Sequence, residues 1–220
     1  MKSRSLEPER LDLETPPLEE RARITGYLAF VNRWFGGTKA IAHHLREVKG
    51  IATVLDVASG AGDILRDLSG RFPRLKFIAF DLSEWMLSFA GGIPRIRGDV
   101  RRFPFRDRSV DYVICTHFFH HLSDDQIVAA LGEFDRIARR GIIVNDLHRT
   151  RRALFWIKLF TLWANPYVKV DGPLSVRKAF KLPEIEALAR RAGLDWLRVE
   201  LHFGHRFTLA GVRPGWQNPS

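Results

Sequence analysis

The chain has 220 residues, 45% of them hydrophobic, and a formal net charge of +10 at pH 7. The apolar share excludes disorder along the whole length, the single cysteine Cys115 excludes a disulfide scaffold, and the length suits one large domain. The basic excess, 27 arginines and 8 lysines, raises a polynucleotide or a membrane surface as partners.

Residues 1–20 run against that charge. They hold Lys2, Arg4 and Arg10 against Glu7, Glu9, Asp12, Glu14, Glu19 and Glu20, a balance of −3. An acidic start carrying Pro8, Pro16 and Pro17 is not a secretory signal, which needs a basic start and an apolar run. It reads as a mobile arm or a strap over the body. Residues 21–220 are expected to form a single domain. Residues 21–34 and 38–48 read as helices of an N-terminal cap (21–50), with Leu28, Val31, Trp34 and Phe35, then Ile41, His44, Leu45 and Val48, near a helical period. Gly36-Gly37 punctuates them.

Residues 52–57 form a short apolar run suited to a strand buried on both faces, followed by Gly60, Gly62 and a helix from Asp63. A second such run covers 75–80 and ends at Asp81; Ser83 can cap a helix over 84–90. Residues 93–96 read as a third strand before Gly98-Asp99, and 110–116 as a fourth. Ser123 to Gln126 has capping-box spacing, and the helix it opens is expected to run to Arg140 and stop at Gly141. A fifth strand covers 142–147. Residues 183–192 read as a helix stopped by Gly193, and 196–203 and 205–212 as a hairpin around Gly204. The alternation predicts an α/β fold: a Rossmann-like, seven-stranded mixed sheet with a C-terminal antiparallel hairpin and helices on both faces.

The glycine turn lies at the carboxyl end of the first strand, where open α/β sheets bind ligands. A dinucleotide site would read G-x-G-x-x-G; here Asp63 follows Gly62, no third glycine is present, and an acid sits where a pyrophosphate would. Acids on both sides of the turn suit an ammonium-bearing ligand instead.

On these residues the chain resembles the class I S-adenosylmethionine-dependent methyltransferases. Asp56, Gly60 and Gly62 match the first motif, with Ala58 replacing its first glycine. The resemblance implies S-adenosylmethionine as cofactor, with Asp81 (and Leu82 beside it) on the ribose, Asp99 on the adenine amine and the Val100 backbone on the ring. Thr116 and Arg33 complete the expected cofactor set, Arg33 as a partner for the cofactor carboxylate or as a surface ion pair. The fourth and fifth strands end in Thr116-His117 and Asn145-Asp146-Leu147-His148. His117 and His148 are the candidate general bases, with Asp146 as an orienting group. His120 and His121 are expected to close the strand, and no metal is expected.

The acceptor is expected to be small. The position after the fourth strand lacks the D/N/S-P-P-Y/F segment of amino-methylating enzymes and the Pro-Cys pair of cytosine-C5 enzymes. Residues 148–182 are rich in Leu, Phe and Trp and are expected to form a lid of aromatic walls over an aromatic or lipid-like acceptor. Arg149, Arg151, Arg152 and Lys158 flank the same stretch and allow peripheral contact with an acidic membrane. The apolar run 153–164 falls short of the ~20 residues that span a bilayer, so a cytoplasmic protein, monomer or homodimer, is expected. The chain is similar to methyltransferases of the ubiquinone and menaquinone biosynthesis type and to bacterial polyketide-tailoring enzymes. That resemblance implies O-methylation of a phenol or hydroxyquinone. C-methylation of a quinone or polyketide ring and a non-catalytic cofactor- or RNA-binding module are the alternatives, and nucleic acid comes last among the partners.

Overall fold

The computed structural model describes residue 1 and residues 3–216; Lys2 and residues 217–220 lie outside the described residues. Seven strands form one sheet in the order β3-β2-β1-β4-β5-β7-β6. They are β1 (Ala52–Val57), β2 (Leu75–Asp81), β3 (Arg95–Arg97), β4 (Val110–Thr116), β5 (Ala138–Leu147), β6 (Arg198–His202) and β7 (Arg206–Val212). β1 to β5 pair in parallel, and β7 runs antiparallel between β5 and β6.

Alternate residues of the central strands feed two cores. Leu55, Val57, Val113 and Cys115 pack on one face with Ile127, Leu131 and Phe134 of α6 (Asp124–Ile137) and with Ile185 and Leu188 of α9 (Leu182–Arg191). Val54, Tyr112 and Ile114 pack on the other with Ile41 and Leu45 of α3 (Gly37–Leu45) and Leu65 and Leu68 of α4 (Asp63–Arg71). Each fully buried Leu, Ile or Phe contributes roughly 1.5–3 kcal/mol of hydrophobic stabilisation. The carboxyl ends of β1, β2 and β4 are thereby held as a rigid shelf.

Several element boundaries differ from expectation, and three of them have a clear physical reason. The helix opened by the Ser123 capping box stops at Ile137, and β5 begins at Ala138. Gly141 is therefore no helix stop but an interior strand residue, and a Cβ there would lie 2.6 Å from the Gly211 carbonyl oxygen and 2.9 Å from the Tyr112 ring. The glycine is needed for close packing across the sheet. The helix after Ser83, α5 (Glu84–Leu87), is a single turn. The cap helix α2 (Leu18–Trp34) starts directly after Pro17, so Glu19 and Glu20 belong to its first turn, where acids complement the helix dipole, rather than to the arm.

The segment 148–182 folds as α7 (Arg151–Phe160) and α8 (Pro166–Lys178). The N-terminal arm is a strap laid across α8. The Arg4 guanidinium donates to the Lys178 and Leu122 carbonyls and to Asp124. A short helix, α1 (Arg10–Leu13), follows. Its Arg10 and Leu11 N–H groups donate to the Asp171 carboxylate at 2.8 and 3.1 Å. Free N–H groups at a helix start require such an acceptor, and a carboxylate is the best available.

Candidate active site

A cavity of about 800 Å³ opens at the carboxyl ends of β1, β2 and β4. At one end the chain leaves β1 through Ala58, Gly60 and Gly62, all in the left-handed region with φ of 56°, 55° and 67°. Gly60 donates its N–H to Asp81 Oδ2 and Ser83 donates to Asp81 Oδ1, both at 2.8 Å, so Asp81 is held rigidly across the turn. Burial raises the carboxyl groups of Asp56, Asp63 and Asp81 above the usual carboxylate range, Asp56 most, where Asp63 and Asp81 add their charges. Four buried polar atoms on the lining have no hydrogen-bond partner among the described residues: Asp56 Oδ1, Ser59 Oγ, Thr116 Oγ1 and Asn32 Oδ1. Buried polar atoms are rarely left unpaired, so this cluster marks a place for a polar ligand.

At the other end, His117 leaves β4 with φ 55°, and its N–H donates to the Asn145 carbonyl at 2.9 Å. Its Nε2 meets the guanidinium of the fully buried Arg206, which also donates to the Phe35 carbonyl at 2.8 Å. Burial, then the Arg206 charge, push the His117 imidazole well below its ordinary value. Arg206 itself is lowered by burial to about 10 and remains cationic at neutral pH. A 3-10 turn, Phe119–His121, follows. His120 is buried, with Nδ1 2.7 Å from Asp146 Oδ1; Asp146 also accepts the His120 and Leu147 N–H groups. Burial would raise Asp146, but His120's charge and hydrogen bond hold it far below the usual carboxylate range. His121 points into the cavity with Nδ1 3.0 Å from Asp12 Oδ2 on the strap. Burial opposes ionisation of Asp12, yet the His121 hydrogen bond and charge bring it down to about 2. The strap thus supplies Glu9, Leu11 and Asp12 to the cavity wall. Glu9 is buried and raised by that burial, accepts from Ser175 Oγ at 2.9 Å, and has the Lys178 ammonium at 3.6 Å.

A family model described as a methyltransferase domain matches residues 54–141, the stretch from the glycine turn to β5. A demethylmenaquinone methyltransferase from Thermotoga maritima is 31% identical over 127 residues, 55% of this chain and 55% of its own. Residues 54–141 carry a methyltransferase domain, and these likenesses support a class I S-adenosylmethionine-dependent methyltransferase. A solved S-adenosylmethionine-dependent methyltransferase from Aquifex aeolicus superposes with a TM-score of 0.63 at 20% identity, over 87% of this chain and 97% of that one. The human N-acetylserotonin methyltransferase, solved with S-adenosylmethionine, reaches 0.67 at 17% identity, over 90% and 56%. These two likenesses establish the fold. The chain spans about half the length of the Thermotoga relative.

Of the residues expected from the sequence, Asp56, Ala58, Gly60, Asp81, Leu82, Asp99, Val100, Thr116 and His117 all line the cavity. Gly62 does not; a Cβ there would meet Ala90 Cβ at 2.8 Å, so its glycine serves the approach of the turn to α5's end. Asp99 lines the cavity with both carboxylate oxygens engaged by Arg101, at 2.6–3.1 Å. Arg33 stays outside, exposed, with its nearest carboxylate Asp67 at 3.9 Å. His148 is also absent from the lining: its N–H donates to the His205 carbonyl and it bridges to Phe180, which turns it from the cavity. Asp146 orients His120, not His117 or His148. None of residues 148–182 lines the cavity: α7 packs on α8, with Ile157 beside Gly172, and leaves Phe155, Trp156 and Phe160 exposed. The strap takes the place expected of that lid. Sequence reasoning missed Glu9 and Asp12 as wall residues; the one available signal was the acidic run of the arm, which names no partner.

Proposed function

We propose that the protein transfers a methyl group from S-adenosylmethionine to a hydroxyl of a small aromatic or lipid-like acceptor, a phenol or hydroxyquinone. The cluster of unpaired buried polar atoms between the glycine turn and Asp81 carries this reading. Bound there, S-adenosylmethionine supplies a methyl group on a sulfonium, activated for direct displacement. Asp81, fixed by two N–H donors, has lone pairs left for ribose hydroxyls. The three acids Asp56, Asp63 and Asp81 favour a cationic ligand. Asp99 can reach an adenine amine once Arg101, itself exposed, swings aside.

His121 is the base this geometry favours. Its Nδ1 is held by ionised Asp12, which leaves Nε2 for a proton from the acceptor hydroxyl. His117 is the weaker candidate, because a permanent cation occupies its Nε2 lone pair. We assign it to positioning, through Arg206. Leu11, Leu28, Phe118 and Leu122 line the cavity and suit an apolar ring. The name of the Thermotoga relative points to a quinone acceptor. A base beside the acceptor favours O- over C-methylation, which needs none when the ring anion is the nucleophile.

The exposed face of α7 supports acceptor uptake from a lipid surface. Phe155, Trp156, Leu159 and Phe160 are exposed, and Phe160 packs on Phe35, which contacts Phe30 of α2. Between residues 148 and 170 there is no acid, and among the described residues Arg151, Arg152 and Lys158 have no ion-pair partner. Aromatic and cationic side chains on one helix suit the interface of an anionic bilayer.

The cofactor assignment is tested by calorimetry with S-adenosylhomocysteine. Asp81→Ala should weaken binding by about tenfold or more, about 1.4 kcal/mol. Unchanged affinity would remove Asp81 from the site. Product analysis with a phenolic acceptor then separates methyl ether from ring-methylated product.

A further inference from the structure

Three of the eight histidines lie far from the cavity, at the junction of α3 and β6. His43 and His44 occupy the last turn of α3; His202 and Glu200 share one face of β6, the strand at the sheet edge. The ring centroids of His43, His44 and His202 lie 5.1, 5.9 and 6.0 Å apart. His43 Nε2 is 3.5 Å from Glu200 Oε2. One donor atom from each of His43, His44 and Glu200 falls within 4.8 Å of the others.

From this arrangement we infer a binding site for a zinc-class divalent cation formed by His43, His44 and Glu200, with His202 or water in the fourth position. Imidazole and carboxylate are the donors such ions take, at Zn–N distances of about 2.0–2.1 Å. The observed spacing needs shifts of about an ångström, and the side chains of His43 and Glu200 are both about half exposed and free to make them. The buried Thr208 hydroxyl lies 2.8 Å from Nε2 of both His44 and His202. Its two lone pairs can accept an Nε2–H from each ring, which leaves Nδ1 of both rings unprotonated and free for the ion. An outer hydrogen-bond partner of this kind sets the tautomer of a metal-ligating histidine. Burial lowers the imidazoles of both His44 and His202. Such an ion would clamp the cap helix α3 to the terminal hairpin β6–β7.

The second histidine–acid cluster, Glu9, His120 and His121, differs in carrying its own cation: the Lys178 ammonium sits 3.6 Å from the Glu9 carboxylate. It therefore carries no such inference.

The test is titration of tag-free full-length protein with Zn²⁺ by calorimetry, with thermal unfolding in parallel. We expect one Zn²⁺ per chain and a rise in Tm that EDTA reverses. His43→Gln/Glu200→Gln, folded by circular dichroism, should bind about tenfold or more weaker and lose the Tm rise. Absence of saturable binding, or equal binding by the double variant, would overturn the site. Loss of binding in Glu9→Gln/His121→Gln instead would place the ion at the strap and overturn it as well.

Discussion

His117 and His121 stand four residues apart, and both line the cavity, yet their surroundings divide them. Arg206 has only donors and cannot lose its charge at neutral pH, so it leaves His117 unable to accept a proton at Nε2. Asp12 does the reverse for His121. His121→Ala should lower kcat with a phenolic acceptor by about 10²–10⁴-fold while S-adenosylhomocysteine affinity stays unchanged. Asp12→Asn should lower kcat in the same direction by less. A larger loss in His117→Ala than in His121→Ala, measured in the same assay, would transfer the role of base to His117. Residue types at strand ends were legible: Asp56 and Asp81 close their strands, Gly60 and Asp99 follow theirs, and all four reach the cavity. The His121–Asp12 pair was not, because 109 residues separate its members and only the docked strap joins them.

Among the elements, the buried parallel strands were the most legible, since a run such as Val54-Leu55-Asp56-Val57 has few other destinations. The β5 boundary was misread because capping grammar assigns Gly141 to a helix end, while packing against Tyr112 and Gly211 gives it to a strand. Composition makes 148–182 an aromatic lid, but it does not say which way a helix face turns. The strap is the element with the clearest single anchor, the Asp171 carboxylate on the α1 N–H groups. Asp171→Ala removes a charged hydrogen-bond acceptor of about 1.5–3 kcal/mol per bond. It should expose residues 3–16 to limited proteolysis and raise KM for the acceptor, with cofactor affinity unchanged. Intact resistance to protease would show that the other strap contacts suffice. Asp12 also gives the strap a pH dependence. Its carboxyl is depressed on folding, so its contribution is complete above the ordinary value of 3.8 and is lost as pH falls toward about 2. Glu9 is raised by burial and acts oppositely, opposing the docked strap once it ionises.

At the scale of the whole molecule, the charge of +10 is distributed in a way that composition hides. The arginines nearest the sheet are committed internally: Arg136 to Glu133 and Asp107, Arg140 to Asp111, Arg149 to Glu184 and Arg213 to Asp135. Beside the exposed aromatics of α7, Arg151, Arg152 and Lys158 are exposed and have no ion-pair partner among the described residues. Among the described residues no helix is long and apolar enough to cross a membrane, so contact would be interfacial. The protein should sediment with vesicles containing phosphatidylglycerol, less so with pure phosphatidylcholine, and less as salt rises. Arg151→Glu/Arg152→Glu should reduce that binding by about thirtyfold or more, since each basic residue near an anionic surface is worth about 1 kcal/mol. Equal binding to both vesicle types would discard the electrostatic part of the interface.

The strap also orders events in time. Its partners Asp124, Asp171 and Lys178 lie 120, 161 and 174 residues downstream of the residues they hold. During synthesis the strap is made well before α8, which carries two of those anchors and follows β5 and α7. Contacts of such sequence separation form late, because loop closure must come before they can stabilise anything. The cofactor end of the cavity, built within residues 52–116, can assemble while the acceptor end is still open. The wall that holds Asp12 against His121 is then the last part of the catalytic chamber to arrive.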